Sequence, residues 1–134
     1  MDFNQLAQLL RMQPTVDSAG QPIDLKRPIV FDQKGYEPHT ELSMTATGHE
    51  LGLPQTNALY NVPTIYNGKI NDPATFSGMN EIRKNVMKTP NAYKAYSNEQ
   101  EAVKDAIARS KDIGNLRGAE LRKAIIARYM ENMQ

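Results

Sequence analysis

"LYNVPTIYNGKI", residues 59–70, is the stretch on which the fold turns. Tyr60, Val62, Thr64 and Tyr66 alternate with Leu59, Asn61, Pro63 and Ile65, so the run presents two faces as a β-strand does. Pro63 has no N–H to give to a ladder, which points to an edge strand or a bulge. Asn67-Gly68 is the preferred pair for a type I′ hairpin turn. Only Lys69 and Ile70 follow before "NDP", so the return arm is a stub. The expectation is the edge of a small sheet, and an exposed edge is a place where another chain can add.

The upstream sequence supplies neighbours for that strand. "TELSMTAT" (40–47) sets Leu42, Met44 and Ala46 against Glu41, Ser43, Thr45 and Thr47, the period of a half-buried antiparallel strand. "PIVFD" (28–32) reads as a short apolar strand, and "GHELGLPQTNA" (48–58), with its glycines and proline, as a loop. At the start of the chain, Asp2 and Gln5 make a capping box for a helix carrying Phe3, Leu6 and Leu10, ended by Pro14. "TVDSAGQPIDLKRP" then reads as a linker or extended arm.

Downstream the period becomes helical. Asp72 as N-cap and Pro73 at the first helical position open a helix with Phe76, Met79, Ile82 and Val86 in one stripe, stopped by Pro90. Gly78 inside it costs about 1 kcal/mol against alanine. Ser97 with Gln100 opens the clearest helix, with Gly114 as its natural end. A last segment spreads Leu121, Ala124, Ile125, Ile126, Tyr129, Met130 and Met133 over more than half its circumference. Such a helix either fills a groove of its own domain or contacts another chain. The expected architecture is α+β: a small antiparallel sheet of about three strands covered by C-terminal helices, with an N-terminal helical arm. The parts are an arm at 1–27, a core module at 28–114 and an amphipathic helix at 115–134.

At 134 residues the chain suits one domain, and 40% apolar residues with no Trp point to a thin core or to surface completed by a partner. The absence of cysteine excludes a disulfide framework, a thiolate nucleophile and a cysteine-ligated zinc site. "MDFNQLAQLLRMQ" lacks the features of a signal peptide, and no run approaches the roughly 20 apolar residues of a membrane span. A reducing cytoplasm, and no membrane partner, is therefore expected. The net charge of +1 divides into −3 over residues 1–60 and +4 over the rest, so the two halves can attract each other or neighbouring copies.

Chemistry is sparse. His39 and His49 are the imidazoles available as acid–base groups or ligands; "GHELG" starts like a zinc-protease helix, but Leu53 stands where the second His belongs, leaving His49 as a solvated loop residue. No phosphate loop follows from Gly48, Gly52 and Gly68. Glu37, Glu41 and Glu50 are carboxylates with no spacing that pairs them for hydrolysis. No catalytic residue, cofactor or metal is expected. Arg109, Lys111, Arg117, Arg122, Lys123 and Arg128 alternate with acids at spacings that serve intrahelical pairing. Tyr93 and Tyr96 near Lys88 and Lys94 leave weak nucleic-acid contact as an alternative.

"YNVPTIYNGKI" (60–70) is similar to an N-[IV]-P-T-I-x-x-G-K strand and turn. "YKAYSNEQEAVKDAIARSKDIG" (93–114) is similar to the [FY]-x-x-x-x-E-A…R-S helix that follows it, carried here by Tyr96, Glu101, Ala102, Arg109 and Ser110, with Ser97 and Ala106 among them. Together they resemble a module of tailed-bacteriophage and prophage proteins, found as small virion-associated proteins and inside large internal or tail polypeptides. The resemblance covers residues 36 to 114, and Tyr96 departs from the commoner Phe.

The resemblance implies a non-enzymatic structural or assembly component of a phage virion, made in the host cytoplasm. It would bind copies of itself in a homo-oligomer or symmetric assembly, or a larger capsid, portal, tail or internal virion protein. The expected contacts are Phe3, Leu6 and Leu10, the strand residues Tyr60 and Tyr66, and Ile125, Tyr129 and Met133. The alternatives are a small phage protein binding nucleic acid or a host protein, and a cell-wall hydrolase accessory.

Overall fold

The computed structural model describes residues 2–5, 15–32 and 37–133 of the chain. In chain order these residues hold β1 (Val30–Phe31), β2 (Pro38–His39), β3 (Ser43–Thr47), α1 (Gly48–Leu51), β4 (Leu59–Pro63), β5 (Ile65–Tyr66), β6 (Lys69–Ile70), α2 (Phe76–Val86), β7 (Ala95–Tyr96) and α3 (Glu99–Asn132). All named strand pairs are antiparallel: β1 with β2, β5 with β6, and a three-stranded sheet in the order β3-β4-β7. The chain is α+β, with small antiparallel sheets and a long C-terminal helix.

The alternation in the sequence becomes two-sided burial. Tyr60 and Val62 of β4 and Ala46 of β3 turn to one face, where they meet Leu51, Leu53, Ile82 and Val86 in a single buried cluster. Leu51, Val62, Ile82 and Val86 are fully buried, each worth about 1.5–3 kcal/mol relative to exposure. The opposite face receives α3, where the Asn61 amide donates to the Ala102 carbonyl at 2.7 Å. Thus α1 and α2 cover one side of the sheet and α3 the other.

Within the quoted stretch β4 is an edge only beyond Tyr60, not along its whole length. β4 pairs with β3 along its length and with β7 at Leu59 and Tyr60, so it is central where it begins. Pro63 is accommodated by direction. The Thr64 N–H donates towards the β3 side, to Leu42 O at 2.7 Å. Because successive amides of a strand point opposite ways, position 63 faces away from β3, beyond the last residue that β7 pairs. The expected turn forms: Asn67 and Gly68 both take positive φ, 54° and 72°, and join Tyr66 to Lys69.

Three helix boundaries differ from expectation. "GHEL" is a helical turn and not a loop, because Thr47 and Glu50 form a capping box: the Glu50 N–H donates to Thr47 Oγ1 and the Thr47 N–H to Glu50 Oε1, both at 3.1 Å. Four residues are too few to display a period. α2 is capped by Thr75 and not by Asp72, whose carboxylate instead accepts from the Ala74 N–H in the preceding turn at 2.9 Å. Phe76, now the first helical residue, is 84% exposed and outside the stripe carried by Met79, Ile82 and Val86.

α3 is capped by Asn98, one residue after the expected Ser97, with Asn98 Oδ1 accepting from the Glu101 N–H at 2.9 Å. It passes straight through Gly114 and ends only at Asn132. No helix end therefore falls between 114 and 115. Buried Ile113 and Arg117 hold the helix to the body on both sides of the glycine, which offsets the roughly 1 kcal/mol that glycine costs.

Gly78 explains itself by contact. A Cβ there would overlap the Asp72 carbonyl, whose oxygen accepts from the Thr75 N–H at 3.1 Å and hydroxyl at 2.8 Å. Gly78→Ala, ordinarily a gain in a helix, is expected to lower stability by about 1–3 kcal/mol through overpacking, measured by urea denaturation.

The expected N-terminal capping box is present: the Gln5 N–H donates to Asp2 Oδ1 at 2.7 Å and the Asp2 N–H to Gln5 Oε1 at 3.0 Å. Leu6 and Leu10 lie outside the described residues. The 15–27 segment is not a free arm. It folds back on itself through a Val16–Pro22 bridge, buries Ile23, and is fastened to α3.

Candidate functional site

The fastening is a buried ion-pair centre around Arg109. Its guanidinium donates to Glu41 Oε1 at 2.6 Å and Oε2 at 2.9 Å, to Asp17 Oδ2 at 2.9 Å, and to the Pro22 carbonyl at 2.8 Å. Glu41, read from sequence as a solvated residue on a strand's polar face, is thus an anchor. Arg27 pairs with the same carboxylate at 3.5 Å and donates to Ile65 O at 2.6 Å. Its carbonyl accepts from buried Arg117 at 2.7 Å. Burial works against the charge of Arg109, but the hydrogen bonds and charges of Glu41 and then Asp17 outweigh it and hold the guanidinium above its ordinary value.

A cleft of about 240 Å³ opens beside this centre, lined by Asp17, Arg27, Glu41, Tyr93, Asp105 and Arg109 among others. Most of its charges are engaged with one another: besides the pairs above, Asp105 accepts from the Tyr96 hydroxyl at 2.7 Å and lies 3.5 Å from Lys94. Their contacts are those of a clamp joining the 15–27 segment, the sheet and α3.

The two sequence motifs meet here. Asn61 of the first holds the backbone of Ala102 in the second, and Asn61 Oδ1 accepts from Thr45 at 2.6 Å. The Thr64 hydroxyl donates to Leu42 O at 3.0 Å. In the second motif Tyr96, Ala102 and Arg109 are the inward-facing members.

Two tyrosines are expected to make the fold sensitive to alkali. The Tyr66 phenol is pushed up by burial and then by neighbouring Tyr93; the Tyr96 phenol is pushed up by burial and then by its bond to Asp105. Both protons are held more tightly in the folded chain. The stability they contribute is full below the ordinary value of 10.0 and is lost as pH rises past it, because the unfolded chain ionises first. Melting temperature is expected to fall steeply above about pH 10, and Tyr96→Phe to flatten that fall.

The residues expected to bind a partner separate into two groups. Tyr60 is 4% exposed and belongs to the core, which corrects its assignment as a contact residue. It stood on the face that alternation could not tell from the outer one. Tyr66 is half-buried, with the Arg27 guanidinium 5.8 Å from its ring centre. Phe3, Ile125, Tyr129 and Met133 are 83%, 44%, 68% and 72% exposed. Ile125 and Tyr129 share α3 with exposed Ile126 and Met130, and Met133 caps its end, so the helix end that could have filled a groove of its own domain does not. α3 has 34 residues, about 50 Å of helix. Near that end Arg128 is set 5.0 Å over the Phe31 ring.

One cluster was not legible in the sequence. Pairing of Val30 with His39 and Phe31 with Pro38 brings donor atoms of Asp32, Glu37 and His39 within 4.8 Å of one another. These side chains could ligate a divalent cation, and Glu37, with its side chain 75% exposed, leaves that hairpin end open to water. His49 is exposed on α1. Among the described residues no helix is long and apolar enough to cross a membrane. Compared with known proteins, the chain matches no family model, no curated protein and no solved structure.

Proposed function

We propose that the chain is a non-enzymatic structural or assembly protein of a bacteriophage virion. It binds copies of itself or a larger capsid, portal, tail or internal virion protein, and it is assembled in the host cytoplasm. One observation carries the assembly role: Ile125, Ile126, Tyr129, Met130 and Met133 stand exposed together at the end of one helix. A contiguous apolar surface of this kind is characteristic of a protein contact. The phage context is supported by the sequence resemblance. The engagement of Asp17 and Glu41 by Arg109, and of Asp105 by Lys94 and Tyr96, supports a non-catalytic reading of the cleft.

The test is co-purification of the tagged chain with virion proteins from infected cells. The full chain is expected to bring down a stoichiometric virion partner, and a chain ending at residue 124 to lose it. Equal recovery by both chains would overturn the reading.

A second reading rests on Lys104, Lys111 and Arg122, exposed along one side of α3, as a nucleic-acid contact. It requires binding that weakens steeply with salt, and no binding to DNA or RNA at low salt would remove it.

A further inference from the structure

α3 carries a repeat on a side that the body does not use. Val103 and Ile107, Gly114 and Gly118, and Ile125 and Tyr129 are three pairs, each spaced i,i+4, and each displaced from the next by 11 residues. Eleven residues make three turns of helix and about 20° more, so all six lie in one nearly straight stripe. Ala102, Ile113 and Arg117, which are buried against the body, lie about 110° around the helix from it. Val103, Ile107, Ile125 and Tyr129 are 41%, 65%, 44% and 68% exposed.

Among the described residues nothing requires either glycine: a Cβ on Gly114 would meet none of their atoms within 4 Å, and one on Gly118 only the tip of the Arg122 side chain at 3.4 Å. Two glycines inside a helix each cost about 1 kcal/mol against alanine. Their absent side chains let a second backbone come close.

The stripe is also symmetric about residue 116. A two-fold axis there sets Gly114 against Gly118, Ile107 against Ile125 and Val103 against Tyr129 of an antiparallel copy. This is the self-complementarity an isologous contact requires. We infer that α3 pairs antiparallel with α3 of a second copy, crossing at the Gly114–Gly118 pair. From Val103 to Tyr129 the helix runs about 39 Å; a strip about 10 Å wide on each copy gives on the order of 800–1,000 Å² in total. That lies at the low end for specific association, so the dimer forms with rising concentration and is not obligate. Lys111 and Arg122 of the two copies come side by side, so moderate salt strengthens the dimer by screening them.

This inference rests on the assembly reading and names its partner. Because the chain has no cysteine, introduced ones report register cleanly. In the antiparallel dimer, position 107 faces position 125 of the other copy, whereas the two positions 107 stand about 27 Å apart. Oxidising Ile107→Cys/Ile125→Cys is expected to give a covalent dimer, and each single variant none. Gly114→Ala/Gly118→Ala is expected to raise the melting temperature while weakening dimerisation at least about tenfold in sedimentation. Cross-linking of Ile107→Cys alone, or a monomer at every concentration up to about 1 mM, would overturn the antiparallel pair. If the chain is monomeric but truncation at residue 124 still abolishes virion co-purification, the partner is another protein and the assembly reading stands.

Discussion

Replacing Arg109 by methionine is expected to lower the stability of the fold by about 3–5 kcal/mol, the range for breaking a buried ion pair from one side. Methionine keeps most of the apolar stem but removes every donor. Asp17 and Glu41 have side chains only 3% and 8% exposed, so both lose their main charge partner without gaining water. Glu41 keeps Arg27 at 3.5 Å, whereas Asp17 keeps only the backbone N–H groups of Ala19 and Gln21. Out of a total that for domains of this size is about 5–15 kcal/mol, such a loss is large. Urea denaturation should show a lower midpoint at unchanged slope. Arg109→Lys should recover only part of it, because an ammonium cannot bridge two carboxylates as the guanidinium fork does. A loss under about 1 kcal/mol would show that the desolvation of the three charges cancels their attraction.

Ile125→Glu, Tyr129→Glu and Met133→Glu, made together, are expected to weaken partner binding by more than about 100-fold and to leave the fold intact. All three side chains are exposed, and surface substitutions of that kind change stability within about 0.5 kcal/mol. At a contact, removing a central aromatic or aliphatic anchor costs about 2 kcal/mol or more. Three buried glutamates would add desolvation to that loss. The two readouts move oppositely to those of Arg109→Met, which strikes the fold and leaves the α3 end untouched. Binding measured by titration calorimetry, beside a thermal melt of the same variant, separates the two. Unchanged binding would remove this helix end from the contact.

Much of the fold was legible because its signals are local. The alternation in 43–47 and 59–63, the Asn67-Gly68 turn and the Asp2–Gln5 capping box each depend on residues that are neighbours in sequence. What stayed hidden depends on partners far along the chain. Whether Pro63 marks an edge depends on β7, some thirty residues on, and on which way one amide points. Gly114 looks like a helix end until Ile113 and Arg117 are found buried beside it. Arg109 looks like one of several surface cations, and only folding brings Asp17, 92 residues away, onto it. The exposed helix end was legible as an alternative: its apolar residues were plain, and whether the body covers them was a tertiary question.

The central claim is that this chain is a component of an assembled particle. If the proposed phage origin holds, the most direct measurement is quantitative mass spectrometry of highly purified virions of the source phage, counting this chain against the major capsid protein. A fixed copy number that matches a symmetric ring or shell is the predicted result. Its absence from virions that contain their full set of structural proteins would contradict the account.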